Sequence, residues 1–267
     1  AVSVASAVEL ALLAWGMRRA GVLPAPRIRG AHPALRDVYR GCLPLAGGAL
    51  LMTTTVVVDQ AMASTLGAGS VSVLNYAYKL VAFSQGIGAV ALGTAVYPHF
   101  SRMVAWGDWA GVRHVLASYL RLVFFATLPC AVAAAVLAPV LTRVLFVRGA
   151  FTPEDARVVS PVMAIFVFQV PIFLAGTLLV RLVSALRASR VLMWGALCNT
   201  LVNVGLNWAF MRWWGVAGLA LSTVCVYAFS FCYLYFSVRR LLRHRIEASA
   251  AAPAVGTPPP AAARAAT

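Results

Sequence analysis

CLPLAGGALLMTTTVVVDQAMASTL, residues Cys42–Leu66, is an apolar run that holds a single acid, Asp59. A helix that crosses a bilayer needs about 20 mainly apolar residues at about 1.5 Å rise each. Cys42–Leu66 meets that length, and other stretches along the chain do so as well. They are Val73–Pro98, Val115–Leu141, Val158–Leu186, Val191–Met211 and Val216–Val238. The pattern predicts an all-α fold, a polytopic membrane helix bundle.

The composition agrees with a membrane protein. The chain is 62% hydrophobic, with mean hydropathy +0.86, whereas soluble domains are about half apolar. A net charge of +15 would point to nucleic acid in a soluble protein. Here the arginines lie between apolar stretches, so we interpret them as topology signals and predict no nucleic-acid partner.

The arginines are concentrated in alternating connectors, which orients the chain. The basic connectors are 18–41, 99–114 and 187–190, and the flank after Val238 is basic too, whereas 67–72 carries no charge. Basic residues are retained on the cytoplasmic side of a membrane. We therefore predict a multi-pass protein in which Cys42–Leu66 runs outward and the chain finishes in the cytoplasm.

This topology divides the chain into four parts. Residues 1–17 are predicted to end a preceding transmembrane helix, and 18–41 to form a basic cytoplasmic connector. Residues 42–245 would form a six-helix transmembrane lobe, followed by a disordered Ala/Pro-rich cytoplasmic tail over 246–267. Within the lobe, the Trp-containing segment 99–114 suits either an amphipathic segment at the inner interface or an ordinary aromatic belt.

Two charged residues lie deep inside the apolar stretches. Asp59 is the one acid within a complete span, and Lys79 is the one lysine of the chain. Both lie roughly 12–15 Å below the outer ends of their predicted helices. Charges at such depth are costly and face the protein interior or water, so we interpret them as functional.

Polar residues in the last two stretches fall at the same predicted depth. Asn199 and Asn203 are four residues apart, so they share a helix face, and Asn207 extends the row. Ser222 and Thr223 follow the next outer turn by seven or eight residues. An acid with several neutral oxygens makes a site for a hard cation such as sodium.

Two structural alternatives stay open at this point. The Asn and Thr side chains could simply join helices through interhelical hydrogen bonds. Asp59 and Lys79 could form a structural ion pair.

Nothing in the sequence favours an enzyme. A membrane-embedded transferase or protease would need at least two convergent ionisable groups. Apart from arginines toward the ends of the stretches, such as Arg121 and Arg181, the apolar stretches offer only Asp59 and Lys79, and neither HExxH nor GxxxxGK[ST] occurs.

Several motifs, in order along the chain, resemble those of one family. They are VDQAMASTLGAGSV (Val58–Val71), LNYAYKL (Leu74–Leu80), ALGTAVYP (Ala91–Pro98), FVRGAFT (Phe146–Thr152) and GVAGLALST (Gly215–Thr223). Over about residues 1–245 the chain resembles the lipid II flippase family (MurJ/MviN) of the multidrug/oligosaccharidyl-lipid/polysaccharide (MOP) exporter superfamily.

The resemblance implies two six-helix lobes around a cavity that opens alternately to each face. This chain would be the second lobe, helices seven to twelve, preceded by the end of helix six. Its partners would be the missing first lobe, on the same or a separate chain, membrane lipid and a lipid-linked saccharide. The function implied is translocation of the undecaprenyl-pyrophosphate-linked peptidoglycan precursor, lipid II, across the bacterial cytoplasmic (inner) membrane by cation-coupled alternating access. No cofactor is expected beyond a possible sodium ion.

The resemblance also assigns roles to residues. Lys79 matches a cavity-facing basic residue thought to engage the pyrophosphate, and its motif neighbours Asn75, Tyr76 and Tyr78 would join it at the substrate. The family's sodium site corresponds to a set of acid, amide and hydroxyl side chains here: Asp59, Asn199, Asn203, Thr223 and the adjacent Ser222.

The chain departs from the family pattern at two of these positions. Lys79 stands where arginine is common, which keeps the charge but loses bidentate phosphate geometry. Asn203 stands where some members have a second acid. The alternatives are a flippase for another lipid-linked glycan, such as an exopolysaccharide or O-antigen unit, and an inactive truncated membrane fragment.

Overall fold

The computed structural model describes residues 2–19, 21 and 54–251. The chain divides into two units, Ala1–Arg40 and Gly41–Thr267. The first unit holds helix α1, Val2–Arg19, which ends on two arginines. Cations at a helix C-terminus are favourable because they face the negative end of the helix dipole. Most of the predicted connector 18–41 and the first half of Cys42–Leu66 lie outside the described residues.

The described part of the second unit consists of seven helices and contains no strand, which confirms the all-α membrane bundle. They are α2 (54–64), α3 (Ser70–Trp106), α4 (Trp109–Val136), α5 (Ala138–Phe146), α6 (Pro153–Phe166), α7 (Gln169–Ala185) and α8 (Ser189–Ala251). By length and composition, four helical stretches of the described chain can cross a membrane: Ser70–Trp106, Trp109–Val136, Pro153–Ala185 and Ser189–Glu247.

The last of these stretches contains two predicted spans, joined at a kink. Gly215 has φ 55° and ψ −129°, a conformation that side chains with a Cβ rarely adopt. Past Gly215 the chain folds back along the first half of α8. The Tyr233 hydroxyl therefore reaches the Val191 carbonyl and donates to it at 3.2 Å. Gly218 lies directly against the Phe210 carbonyl, where a Cβ would collide. Glycine at both positions therefore permits a close antiparallel pair.

Helix breaks also divide two other predicted spans. Val115–Leu141 is interrupted at Leu137, where α5 begins with a proline in its first turn. Val158–Leu186 is interrupted between α6 and α7. Helix α6 starts at a capping box, in which the Thr152 hydroxyl accepts from the Asp155 amide at 3.2 Å. Such caps satisfy backbone amides that the first turn leaves unpaired.

The predicted interfacial segment 99–114 does not form a separate element. Helix α3 continues through it to Trp106, and α4 begins at Trp109. Gly107, with φ 72°, makes the turn, and Asp108 caps α4 by accepting from the Gly111 amide at 2.9 Å. The tryptophans thus lie at two helix ends joined by a tight turn.

At the far end of the chain, α8 continues to Ala251, past the predicted lobe boundary at 245. The first residues of the predicted disordered tail, 246–251, are therefore helical. An Arg243–Glu247 pair at 2.8 Å supports this last turn, since oppositely charged side chains four apart stabilise a helix. Residues 252–267 lie outside the described part of the chain.

The second unit is held together by two apolar clusters. One joins α3, α4, α7 and α8 around Phe100, Leu116, Leu178 and Val238. The other joins α2, α3, α6 and α8 around Met163, and its buried members include Ala63, Ala77, Val81, Leu219 and Ala220. Large apolar side chains such as Phe125, 83% exposed, cover the outside. An apolar exterior of this extent suits contact with lipid.

Candidate functional site

Asp59 is the centre of a polar network between α2 and α8. Its Oδ1 accepts hydrogen bonds from the side-chain amides of Asn203, at 3.1 Å, and Asn207, at 2.6 Å. Both asparagines are fully buried, and Asp59 is partly buried. They reach one carboxylate because they lie four residues apart on one face of α8. Hydrogen bonds to a charged acceptor are stronger than those between neutral groups.

The network continues across the kink at Gly215. The Asn207 amide also lies 3.3 Å from the Asn203 side-chain oxygen. The buried Ser222 hydroxyl, on the returning half of α8, donates to the Asn207 side-chain oxygen. The antiparallel pair therefore brings residues fifteen positions apart in sequence to one point.

Two other predicted ligands lie on the same helix without joining this network. The Asn199 side-chain oxygen is buried and has no hydrogen-bond partner. The Thr223 hydroxyl donates to the Leu219 carbonyl of its own helix at 2.9 Å, which leaves its oxygen able to accept. Buried polar atoms without a partner are uncommon and call for an explanation.

The donor set determines what this site can hold. Among the described residues, no three His, Cys, Asp or Glu side chains gather as metal ligands. The network instead offers one carboxylate with neutral amide and hydroxyl oxygens. Oxygen ligands of this kind suit hard cations.

Lys79 lies on α3 in a different environment. Its side chain is exposed, and its ammonium nitrogen lies 4.0 Å from the centre of the Tyr76 ring and 5.9 Å from that of Phe146. A cation above an aromatic face is attracted by the ring's negative face. Tyr76 also packs against Phe151, with ring centres 4.9 Å apart. An aromatic platform thus positions the ammonium.

The structure does not pair Lys79 with Asp59. The ion pairs within the described residues are Arg157–Glu154, Arg243–Glu247 and His244–Glu247. The alternative of a structural Asp59–Lys79 pair is therefore contradicted. The two asparagines of α8 bond to the Asp59 Oδ1, whereas the Lys79 ammonium lies over the Tyr76 ring.

The other motif residues divide between two faces of α3. Asn75 is exposed and lies four residues before Lys79, on the same helix face. Tyr78 points elsewhere. Its hydroxyl donates to the Gln85 side-chain oxygen at 3.0 Å, and its ring packs edge-on against Phe166.

Three buried polar groups escaped the sequence reasoning. Gln85 and Gln169 are buried, and the Gln85 side-chain nitrogen and both Gln169 amide atoms lack hydrogen-bond partners. The Arg181 Nε is buried without a partner as well, and this guanidinium packs against Gly93. The signal in the sequence is a polar residue inside an apolar run, the same signal that singles out Asp59 and Lys79.

Comparisons with known proteins show which family the chain is similar to. The family described as "Lipid II flippase MurJ" matches residues 1–253. The probable lipid II flippase MurJ of Bdellovibrio bacteriovorus is 28% identical over 227 residues, which cover 79% of this chain and 43% of that protein. The chain thus spans about two fifths of the length of such relatives.

Solved structures give the same answer for the fold. A structure of the lipid II flippase MurJ in an inward closed conformation superposes with a TM-score of 0.65 at 25% identity, covering 72% of this chain and 41% of that one. The Vibrio cholerae MATE transporter VcmN in its bent form superposes with a TM-score of 0.73 over 91% of this chain and 55% of its own, at 15% identity. The second likeness shows the fold alone. With the family match extending over nearly its whole length, the chain belongs to the family described as lipid II flippase MurJ.

Proposed function

We propose that this lobe forms one wall of a flippase that moves lipid II outward across the bacterial cytoplasmic membrane by alternating access. The first lobe, on the same or a separate chain, would supply the other wall. The family match supports the transport class and gives no reason to invoke enzymatic chemistry. The arginine-rich helix ends, including the end of α8, would face the cytoplasm, and a reporter active only outside the membrane would stay silent when fused behind α8.

The environment of Lys79 carries this proposal. In the described chain its ammonium has aromatic neighbours and no carboxylate partner, although it stands within a helix apolar enough to span a membrane. A charge in that position must meet water or an anion. A wet cavity that receives an anionic substrate satisfies both conditions.

Lys79 would hold the pyrophosphate of the lipid-linked substrate. The rings of Tyr76 and Phe146 keep the ammonium in place at 4.0 and 5.9 Å. A lysine acts on phosphate as a point charge with rotatable donors, so it suits a ligand that must be bound and then released. This contact would recognise the phosphate group, and other residues would recognise the sugar.

Replacing Lys79 tests this role in the full-length protein. Lys79→Gln removes the charge, and we expect lipid II export to fall by at least about tenfold, since a charged hydrogen bond contributes about 1.5–3 kcal/mol. Lys79→Arg should retain export. Arg212→Gln is the matched control, because Arg212 also stacks on an aromatic ring, at 3.8 Å from that of Trp208. Export unchanged in Lys79→Gln refutes the role.

The Asp59 network would be the coupling site for a sodium ion or a proton. Asp59 supplies the charge and Asn203 and Ser222 supply neutral oxygens from the network. Asn199 and Thr223, also on α8, would supply two more oxygens. The unpartnered Asn199 oxygen supports this assignment. Because the network joins α2 to both halves of α8, a bound cation would favour the arrangement that brings these helices together. A ligand shifts such an equilibrium only through different affinities for the two states.

Sodium binding is measurable apart from transport. The purified chain should unfold at a higher temperature in sodium chloride than in choline chloride of equal ionic strength, since a ligand of the native state stabilises it. Asp59→Asn should abolish that difference. Asp155→Asn should keep it, because Asp155 is an exposed helix cap. Equal unfolding temperatures for the unaltered chain in both salts would exclude sodium and leave the proton.

A further inference from the structure

We propose that a groove between the start of α4 and the end of α8 binds the phosphate headgroup of an anionic glycerophospholipid. The groove has a volume of about 680 Å³. It lies at the opposite end of the bundle from the turn at Gly67–Gly69, because α4 begins where α3 ends. It shares no residue with the Asp59 network or with the surroundings of Lys79.

Four arginines from two helices line this groove. Helix α4 contributes Arg113 and Arg121, two turns apart, and α8 contributes Arg239 and Arg243, one turn apart. Convergence of guanidinium groups from separate helices creates a positive site for a phosphate oxygen. Basic pockets between transmembrane helices on the cytoplasmic side bind anionic lipid headgroups in this way.

The positive charge is only partly neutralised within the protein. Glu247 also lines the groove, and it pairs with Arg243 at 2.8 Å and lies 3.9 Å from His244. The Arg121 Nε donates to the Ala117 carbonyl at 3.4 Å. Arg113 and Arg239 have no carboxylate partner among the residues the structure describes. An external anion would complete the charge balance.

The floor of the groove is apolar, which distinguishes a lipid from a free anion. Leu116 and Val238 line it and belong to the buried core. Farther along the same helices, Leu122, Phe125 and Phe236 are 60, 83 and 64% exposed. An acyl chain that leaves the groove would therefore run along an apolar surface while its phosphate stays at the arginines. Each arginine near a membrane surface contributes about fivefold to anionic lipid binding.

Lipid titration of the purified chain in detergent tests this assignment. Native mass spectrometry would follow bound phosphatidylglycerol and the zwitterionic phosphatidylcholine. We expect at least tenfold tighter binding of phosphatidylglycerol. The double variant Arg113→Gln/Arg239→Gln should weaken it roughly 25-fold, the product of two fivefold losses. Arg148→Gln/Arg157→Gln removes the same charge from exposed arginines outside the groove and should leave the affinity unchanged.

Three further arms make the outcome decisive. Arg113→Lys/Arg239→Lys keeps the charge and should bind within threefold of the unaltered chain, which separates charge from folding. Millimolar inorganic phosphate should not displace the lipid, and displacement would mean a site for free phosphate. Equal affinity for the two lipids, or equal loss in the two Gln double variants, overturns the proposal. The assignment of the groove to the cytoplasmic leaflet depends on the orientation proposed above, but lipid binding itself does not. The third arm is Lys79→Gln, which should bind phosphatidylglycerol as tightly as the unaltered chain.

Discussion

Asp59 and Lys79 are both charged residues on apolar helices, yet the surroundings of their charged groups are opposite in kind. The Asp59 carboxylate accepts two amide hydrogen bonds, at 3.1 and 2.6 Å, from fully buried asparagines. The Lys79 ammonium is exposed and rests on the Tyr76 ring at 4.0 Å. One charge is enclosed by hydrogen bonds before any ligand arrives, and the other is held at the surface of the lobe.

The two charges are thus compensated in different ways: that of Asp59 by hydrogen bonds within the protein, and that of Lys79 by groups outside the lobe. Hydrogen bonds from Asn203 and Asn207 lower the cost of burying Asp59, so this charge also holds helices together. Lys79 depends on what lies outside the lobe. We therefore expect Asp59 to influence both stability and coupling, and Lys79 to influence transport with little effect on stability.

Removing the two charges in turn should give the largest difference. Asp59→Leu leaves two buried asparagine amides without their acceptor, and we expect a loss of about 2–3 kcal/mol in unfolding free energy. Lys79→Leu removes only the cation–π contacts of an exposed ammonium with Tyr76 and Phe146, and it should change the unfolding free energy by less than about 1 kcal/mol. Thermal unfolding of the purified chain in detergent compares them, and equal losses would break the contrast.

Within the Asp59 network, the two asparagines should differ. Asn207→Ala removes the 2.6 Å bond to Asp59 and the acceptor of the Ser222 hydroxyl, whereas Asn203→Ala removes the 3.1 Å bond and one amide contact. We expect about 2 kcal/mol for the first and about 1 kcal/mol for the second. The same unfolding measurement decides, and a larger loss in Asn203→Ala would show that the network is organised around the other residue.

Thr223 offers the smallest and sharpest effect. Its hydroxyl donates to a carbonyl of its own helix, so Thr223→Val should alter stability by less than about 0.5 kcal/mol in choline chloride. If its oxygen binds the cation, the variant should lose part of the sodium-dependent rise in unfolding temperature. Full retention of that rise would remove Thr223 from the site.

Much of the fold could be predicted from the lengths of the apolar runs, because a membrane-spanning helix needs about 20 consecutive, mainly apolar residues. The joint at Gly215 was visible as the short connector between two apolar stretches. The breaks at Leu137 and at Phe168 interrupt runs whose composition stays apolar on both sides, so apolar length alone could not locate them, although Pro139 lies in the first helical turn after Leu137. The helical extension to Ala251 was missed because alanine favours helix even in a tail that composition marks as disordered.

The site could be predicted in part. The spacing of four residues placed Asn203 and Asn207 on one face of α8, and both contact Asp59. Depth counting could not distinguish Ser222 from Thr223, since one residue corresponds to a rotation of about 100° around a helix. Depth counting also could not predict that the Lys79 ammonium lies over the rings of Tyr76 and Phe146 and not beside Asp59. Helix α2 ends at residue 64, so Asp59 lies about 8 Å from its helix end and Lys79 about 14 Å from its own.

Helix α3 has 37 residues and so extends about 55 Å, well beyond the hydrocarbon thickness of about 30 Å. The same helix carries Lys79 about 14 Å from one end and Arg102 near the other. A helix of that length acts as a lever, because a tilt of a few degrees about its middle moves both ends by ångströms in opposite directions. Capture of an anion at Lys79 would thus move the far end of the helix, at Arg102.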